Sequence, residues 1–244
     1  MSDRPLVYLI LGAAGSGRRE IVADLIESDS AGTDGALSLL AAGEASDPHD
    51  ARLGPVVRWT WTDGRIESPP ASGAPRIFFF ADGRRNPVDQ VEALIPWLAA
   101  HGAALARVIC VVHCGLAARH PELGPWFDAC VHFADVVLLN RREGVAHKWL
   151  SDFQARYAAR FLPCLVEVVK DGRVGNPALI LEPQARRMAH VFDEEPNWEV
   201  TGGEDEDADE AEEIEAHPEV DPWLARRPGG RRVKELPDIA EYLA

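Results

Sequence analysis

The chain has 244 residues, of which 46% are hydrophobic, and this length is sufficient for one sizeable core. Its formal net charge is −15, and the field of such a chain opposes a polyanion, which argues against nucleic-acid or anionic-membrane partners. No stretch approaches the roughly 18 consecutive apolar residues of a membrane span, and residues 1–4 lack the layout of a secretory signal. We therefore expect a cytoplasmic protein that binds neither nucleic acid nor a membrane.

Six short apolar runs predict the strands of a sheet. They cover residues 6–11, 56–61, 76–80, 107–112, 136–139 and 164–169. The helices predicted between them, from the spacing of apolar residues, cover 21–26, 87–101 and 147–161. Short apolar runs that alternate with helices are typical of a parallel sheet with both faces covered. The sequence therefore predicts an α/β fold with a mostly parallel sheet and helices on both faces.

Two further segments lie between the first helix and the third apolar run. An Asp63-Gly64 pair inside residues 56–66 predicts a hairpin, since Asp-Gly favours the tight turn between two antiparallel strands. Residues 28–55 are rich in Gly, Ala, Ser and Asp. No secondary structure is assigned to them from the sequence.

The composition changes after about residue 192. Nine of the twelve residues in 204–215 are acidic, and such a run repels itself and cannot bury apolar surface. We predict a domain over 1–192, a disordered acidic linker over 193–221, and a basic tail over 222–244 with a short helix at 237–243. The basic residues of the tail are Arg226, Arg227, Arg231, Arg232 and Lys234. The tail is expected either to dock on the core or to bind a protein partner.

The four cysteines are expected to be reduced and mostly buried. They lie at positions 110, 114, 130 and 164 without a C-x-x-C pair. His113 beside Cys114 invites a metal interpretation, but Cys110 and Cys114 at the ends of one strand would lie about 13 Å apart. That separation is too great for one ion, and we predict no metal site.

Residues 12–19 follow the first strand and read as a phosphate-binding loop with an altered ending. Gly12, Gly15 and Gly17 fit the pattern G-x-x-x-x-G-K-[S/T], but Arg18 and Arg19 replace its Lys and its Ser/Thr. In such a loop the glycines let backbone N–H groups face phosphate oxygens at the N-terminus of a helix. A plain strand-to-helix turn of small residues is the alternative interpretation.

Three stretches in order give the chain a resemblance to a known family. They are YLILGAAGSGRRE (8–20), RIFFFADGRRNPVDQV (76–91) and VHFADVVLLNRREG (131–144). Over residues 5–170 the chain resembles the CobW/HypB/UreG group of P-loop GTPases and metallochaperones, most closely its CobW-like members. The resemblance implies a P-loop NTPase-like fold with a nucleotide site. The residues implied in it are Gly12, Gly15, Ser16, Gly17, Arg18, Arg19, Asp82, Gly83, Asn140, Arg141 and Glu143.

Each motif departs from the family pattern. Arg18 keeps the charge of the Lys that spans the terminal phosphates but has a different shape, and Arg19 cannot replace the hydroxyl that ligates magnesium. Phe80 stands where the family has an acidic residue, and Asp82 is the nearest carboxylate that could compensate. These changes argue against a bound magnesium.

The third motif is altered least. Asn140 is retained, and Arg141 and Glu143 replace a Lys and an Asp of the same charge. In the family the carboxylate at this place accepts hydrogen bonds from the guanine edge. Glu143 could do the same only if its loop shifts to accommodate one more methylene, and a polar turn after a buried strand is the alternative.

With these changes, the resemblance implies a CobW-like protein that binds GTP or another nucleotide but hydrolyses it slowly or not at all. Phosphoryl transfer depends on the charge that Lys and magnesium supply, so we expect a pseudo-GTPase with a regulatory or accessory role. The alternative is a non-catalytic protein-interaction module that uses the P-loop fold and the acidic and basic C-terminal segments.

Two smaller expectations follow from the residues that surround the loop. Arginines 18, 19, 84 and 85 either surround an anion or are solvated or paired with acidic side chains. CobW-like members carry a cysteine-rich metal motif before the second stretch, but no cysteine occurs in residues 1–109. No structural metal is expected.

Overall fold

The computed structural model describes residues 4–29, 32–70, 73–193 and 220–243. Within them the strands are β1 (Leu6–Leu11), β2 (Ala36–Ala41), β3 (Val56–Thr62), β4 (Arg65–Glu67), β5 (Arg76–Phe80), β6 (Ala104–His113), β7 (Val136–Asn140) and β8 (Leu165–Val168). The helices are α1 (Arg18–Ser28), α2 (Pro87–Ala100), α3 (Cys114–Arg119), α4 (Gly124–Phe133), α5 (His147–Ala158) and α6 (Pro177–Leu181). Short 3₁₀ helices connect some of them.

The strands form one sheet in the described residues, in the order β4-β3-β2-β5-β1-β6-β7-β8. All neighbours are parallel except β3 and β4, which form the antiparallel hairpin expected about Asp63 and Gly64. Both turn residues have positive φ, 49° and 77°, as a tight hairpin turn requires. The predicted α/β fold with a mostly parallel sheet is confirmed.

Helices cover both faces of the sheet. Alternate residues of a strand face opposite sides, and β1 shows this directly: Val7 and Leu9 belong to one buried cluster, and Tyr8 and Ile10 to the other. The first cluster lies under α2, α3, α4 and α5. The second lies under α1 and α6. Because both faces are buried, the central strands are continuous apolar runs.

The sequence does not predict strand β2, which lies within residues 28–55, the segment without a recognisable pattern. All six of its residues are buried, and it pairs with both β3 and β5. Its sequence, ALSLLA, lacks the β-branched and aromatic residues that favour strands, and burial between two neighbours determines its conformation instead. This strand is decisive for the site, since it carries the chain to the loop that follows at 42–47.

The C-terminal segment 220–243 packs on the face covered by α2 and α4. Trp223 and Ile239 are buried there. The helix expected over 237–243 is only a single 3₁₀ turn, Ile239–Tyr242, whose first residues are capped by the Asp238 side chain. Four residues make a turn too short to propagate as an α-helix. The acidic linker expected over 193–221 lies outside the described residues, except for its ends at 193 and 220–221.

The carboxyl ends of the parallel strands meet at one edge of the sheet. The phosphate-loop candidate follows β1, the loop 42–47 follows β2, the second motif follows β5 and the third motif follows β7. In open α/β sheets this edge is where ligands bind.

None of the described helices is both long enough and apolar enough to span a membrane.

Candidate phosphate-binding site

The glycine loop between β1 and α1 has the backbone of a phosphate loop. Gly12, Gly15 and Gly17 have φ of 136°, 78° and 87°, values that side-chain-bearing residues rarely adopt. A Cβ on Gly12 would lie 2.4 Å from the Val111 carbonyl oxygen of β6. The loop therefore requires glycine both for its dihedral angles and for its close approach to the sheet.

Few backbone N–H groups of the loop are used inside the protein. Ala14 N–H donates to the Gly83 carbonyl at 3.0 Å, and Ser16 N–H donates to the Ala13 carbonyl at 3.1 Å. The N–H groups of Gly15 and Gly17 have no acceptor among the described residues. They lie at the N-terminus of α1, where the helix adds partial positive charge. This part of the loop is competent to receive an anion.

Arg18 and Arg19, the two residues that replace Lys and Ser/Thr, are buried and fully engaged. Arg18 donates to the Ala81 carbonyl and forms an ion pair with Glu44. Arg19 Nη2 lies 2.9 Å from Glu44 Oε2, and Arg19 Nη1 lies 3.0 Å from Asp50 Oδ1. Both guanidinium groups are thus neutralised by carboxylates of the same chain.

Glu44 is the centre of this arrangement. Its Oε1 accepts from Arg18 and from the Gly83 N–H, 2.9 Å away, and its Oε2 accepts from Arg19. Burial raises the pKa of the Glu44 carboxyl, but the charge of Arg18 and the three hydrogen bonds outweigh it and hold the pKa below the usual 4.5. Glu44 is therefore an ionised, internal anion.

Sequence reasoning missed Glu44. It follows β2, the strand that the sequence did not reveal, so nothing placed it near the phosphate loop. The signal that could have found it is chemical: two buried arginines beside a glycine loop need carboxylates. Asp47 and Asp50, in the short 3₁₀ helix region after Glu44, complete an acidic stretch of this loop.

The second motif packs against the phosphate loop through Gly83. A Cβ on Gly83 would lie 2.3 Å from the Ala14 backbone nitrogen, so only glycine fits. Asp82, by contrast, is turned into its own loop: it accepts from Arg84 N–H at 3.0 Å and from Arg85 Nε at 3.1 Å. Its carboxylate lines a neighbouring cavity with Trp59 and Trp61 rather than the one beside the phosphate loop.

The third motif is connected to the first. Asn140 is buried, and its Nδ2 donates to the Ser16 carbonyl at 2.8 Å. A Cβ on Gly17 would lie 2.4 Å from the same nitrogen. Arg141, with φ of 51°, reaches back to Glu20 at 3.1 Å. Asn140 thus fixes the position of the phosphate loop.

Glu143 differs from its neighbours in the motif. It is exposed in the loop after β7, and it makes no hydrogen bond or ion pair with any described residue. The structure therefore brings Asn140 and Arg141 to the phosphate loop and leaves Glu143 at the surface.

Ser16 is fully buried, and its Oγ has no hydrogen-bond partner among the described residues.

A cavity of about 210 Å³ lies beside the loop. Its lining includes residues of the phosphate loop, of the loop after β2 and of the second and third motifs: Gly15, Gly17, Arg18, Arg19, Glu44, Asp47, Arg84 and Arg141. Of the four arginines considered in the sequence, three are paired with carboxylates: Arg18, Arg19 and Arg85. Arg84 is exposed and forms no ion pair within the described part of the chain.

The cysteines and His113 do not assemble a metal centre. Within the described ranges, no group of three or more His, Cys, Asp or Glu side chains is placed to hold a metal ion. His113 Nδ1 accepts from the Leu116 N–H at 3.1 Å, and burial, aided by the charges of Arg119 and Arg141, lowers its pKa. Burial raises the pKa of the Cys114 thiol to about 12.

The basic tail is bound to the core. Arg232 pairs with Asp89 and Glu92 of α2 at 2.6 and 2.7 Å, and Arg226 pairs with Glu92 at 2.6 Å. His132 Nε2 of α4 lies 2.7 Å from Asp221 Oδ2. Of the two outcomes expected for the tail, docking on the core is the one that the structure contains.

No protein-family model and no curated protein sequence matches this chain. Its fold is similar to the Zn(II)-bound YjiA GTPase from E. coli, with a TM-score of 0.50 and 15% identity over 75% of this chain and 62% of that chain. A Zn(II)-bound triple mutant of YjiA GTPase gives the same TM-score and coverage at 17% identity. FtsY from Elizabethkingia anophelis in complex with GDP gives a TM-score of 0.47 at 13% identity, over 80% of this chain and 66% of that chain.

These similarities concern the fold. At 15–17% identity they show that the chain has a P-loop GTPase-like fold, and this part of the expectation is confirmed. The chain spans 62% of the length of the YjiA structures that it matches. A shared fold does not carry an activity with it, so the function depends on the site itself.

Proposed function

We propose that this chain is a degenerate, CobW-like P-loop protein that binds a nucleotide at residues 12–19 without magnesium-dependent hydrolysis. One observation carries the proposal: the backbone of the phosphate loop is intact, whereas Arg18 and Arg19 are both neutralised by Glu44 and Asp50. A pseudo-GTPase of this kind would act as a regulatory or accessory protein in the cytoplasm.

The binding half of the proposal rests on the loop. Gly15, Gly17 and Arg84 line the cavity, and the N–H groups of the two glycines have no acceptor among the described residues. Backbone N–H groups at a helix N-terminus bind phosphate oxygens without any side chain, and a guanidinium adds a charged, bidentate donor. The hydrogen bond from Asn140 to Ser16 preorganises this geometry.

The loss of hydrolysis rests on the side chains. Catalysis of phosphoryl transfer requires a cation on the terminal phosphates and a magnesium ion held by a hydroxyl and an acid. Arg18 is already bound to Glu44, Arg19 has no hydroxyl, and Phe80 is buried at the place of the acid. The carboxylate of Asp82 is bonded to its own loop. We expect no bound magnesium.

The experiment is calorimetric titration of the full chain with GTP, GDP and ATP, each with and without magnesium. The proposal expects binding whose Kd changes less than about twofold with magnesium, and no release of inorganic phosphate from GTP. Gly17→Val, whose side chain would meet Asn140, and Asn140→Ala should both weaken the binding, with circular dichroism as the control for folding.

Two results would contradict this function. Magnesium-dependent binding with steady turnover of GTP would show an active GTPase. No heat and no thermal shift at millimolar nucleotide would show that the site is closed. In the second case the interaction module becomes the better hypothesis.

Protein interaction through the tail is the second candidate. Arg231 is exposed, and so is Val233 at 45%. Arg226 and Arg232, however, are bonded to α2, and a partner would have to compete with Asp89 and Glu92 for them. Deletion of residues 220–244 tests this hypothesis: it expects loss of partner capture while the core remains folded, and partner capture that survives the deletion would contradict it.

A further inference from the structure

We infer that Glu44 is an internal substitute for the terminal phosphate of a nucleotide, so that the site takes nucleoside mono- and diphosphates in preference to triphosphates. This inference rests on the proposed nucleotide binding and specifies its ligand. It concerns a residue outside all three sequence motifs.

The carboxylate lies where the Lys of an intact phosphate loop would hold the terminal phosphates. Arg18 occupies the place of that Lys, whose role is to contact the β- and γ-phosphates. The same carboxylate receives the Gly83 N–H at 2.9 Å, and Gly83 in turn accepts from Ala14 N–H of the phosphate loop at 3.0 Å. Glu44 is thus enclosed by donors of the first and second motifs, in the manner of a bound anion.

Burial makes this arrangement selective. The side chains of Arg18 and Glu44 are 5% and 7% exposed, so water screens their interaction weakly. A terminal phosphate carries about −1.5 to −2 charges near neutral pH. If it entered beside Glu44, the two anions would compete for Arg18, and like charges at contact distance strongly oppose each other.

The positive charge that Glu44 and Asp50 leave uncompensated favours a ligand with fewer phosphates than a triphosphate. Arg18, Arg19 and Arg58 face the carboxylates of Glu44 and Asp50 in one network. This network has one excess positive charge. Gly15, Gly17 and Arg84 stand outside this network, and they line the same cavity as Arg18, Arg19 and Glu44.

The N–H groups of Gly15 and Gly17 have no acceptor among the described residues, so Glu44 leaves them free to bind a ligand. They can receive one or two phosphates while the carboxylate stays in place. A triphosphate, in contrast, can bind fully only after Glu44 has left Arg18 and Gly83. The contacts of Glu44 with Arg18 and Gly83 in the ligand-free protein therefore favour nucleotides with one or two phosphates.

The test compares GMP, GDP and GTP by calorimetry, without magnesium and at constant ionic strength, on wild type and Glu44→Gln. Glutamine keeps the size of the side chain and removes the charge. In wild type we expect GDP to bind at least tenfold more tightly than GTP. In Glu44→Gln the affinity for GTP should rise at least tenfold, and the preference for GDP should disappear.

Glu67→Gln is the matched control. Glu67 lies exposed on β4, and within the described ranges its side chain accepts a hydrogen bond from Thr62 alone, at 3.2 Å, so the substitution makes the same change in net charge away from the site. It should leave all three affinities unchanged. Equal gains in both variants would mean that net charge, and not the position of Glu44, controls the affinity, and would overturn the inference.

A second variant keeps the test decisive if Glu44→Gln does not fold. Glu44→Asp retains the charge but is one methylene too short to reach Arg18 and Gly83 together, and we expect an intermediate gain for GTP. The same GDP-to-GTP ratio in wild type and in the folded variants would overturn the role of Glu44 but leave nucleotide binding intact. Absence of binding by any nucleotide to wild type and variants alike would overturn the proposed function as well.

Discussion

Two arginine–glutamate pairs in this protein differ in how far they are buried. At the start of α1, in the phosphate loop, Arg18 meets Glu44 with both side chains almost fully buried, at 5% and 7% exposure. On the outer surface of α2, Arg226 of the tail meets Glu92 with exposures of 44% and 40%. A buried charge that loses its partner is left uncompensated, whereas an exposed one is simply solvated. We therefore expect loss of the first pair to destabilise the folded protein strongly, and loss of the second to change its stability little.

The two regions also differ in role: the first lies at the candidate ligand site, and the second attaches the tail to the core. At the phosphate loop, Arg18 and Arg19 stand at the places of the Lys and Ser/Thr of the phosphate-loop pattern, and we propose that Glu44 takes the place of a terminal phosphate. At the tail the arginines hold one part of the chain on another. A test of the first region should change ligand binding, and a test of the second should change only stability.

The largest effect is expected from Glu44→Ala. The substitution leaves Arg18 and Arg19 buried with fewer partners, and breaking one side of a buried ion pair costs about 3–5 kcal/mol. Chemical denaturation would measure the loss in the free energy of unfolding. A loss below about 1 kcal/mol would show that Glu44 is not held as the structure has it, and the contrast with the tail would fail.

A smaller loss is expected from Arg232→Ala. Arg232 is buried at 7% exposure, but its partners Asp89 and Glu92 are about 40% exposed and can be solvated when it is removed. Loss of hydrogen bonds to charged groups costs about 1.5–3 kcal/mol. Limited proteolysis of the C-terminal segment should accelerate in this variant, while nucleotide binding stays the same. Unchanged cleavage would contradict the docking role of Arg232.

The smallest effect is expected from Arg226→Ala. Its pair with Glu92 is exposed, and such pairs contribute about 0–1 kcal/mol. Arg232 continues to hold Glu92 in this variant. A loss as large as that of Glu44→Ala in the same denaturation experiment would remove the distinction between buried and exposed pairs on which the comparison rests.

The sequence predicts the sheet better than the site. Continuous apolar runs reveal β1, β5 and β7, because strands buried on both faces are apolar throughout. The glycines of the phosphate loop also reveal themselves, since they are spaced as a loop of this type requires. The resemblance implies a nucleotide-binding role for Asn140, which stays a prediction, and the structure shows that its side chain donates to the Ser16 carbonyl of that loop. These features depend on short, local patterns.

What the sequence does not reveal depends on long-range packing. Strand β2 has too few β-branched residues to be recognised, and it owes its conformation to β3 and β5. Glu44 follows that strand, and it lies 26 residues from Arg18 in the chain. Its role in the site arises only when both loops reach the same edge of the sheet. No local pattern contains that information.

The pKa of Glu44 gives the most direct test. The hydrogen bonds and the charge of Arg18 hold it below 4.5 in the folded protein. A carboxyl whose pKa is lower in the folded than in the unfolded state contributes its full stabilisation above the unfolded value. That contribution is lost as the pH falls from about 4.5 through the folded value.

The Gly83 amide, which donates to Glu44, reports this protonation by its NMR chemical shift. The measurement is a pH titration of that amide in wild type and in Glu44→Gln. We expect a wild-type transition with a midpoint below 4.5 that is absent from the variant. A midpoint at or above 4.5, or the same transition in both proteins, would contradict the claim that Glu44 is an ionised anion held inside the phosphate-binding site.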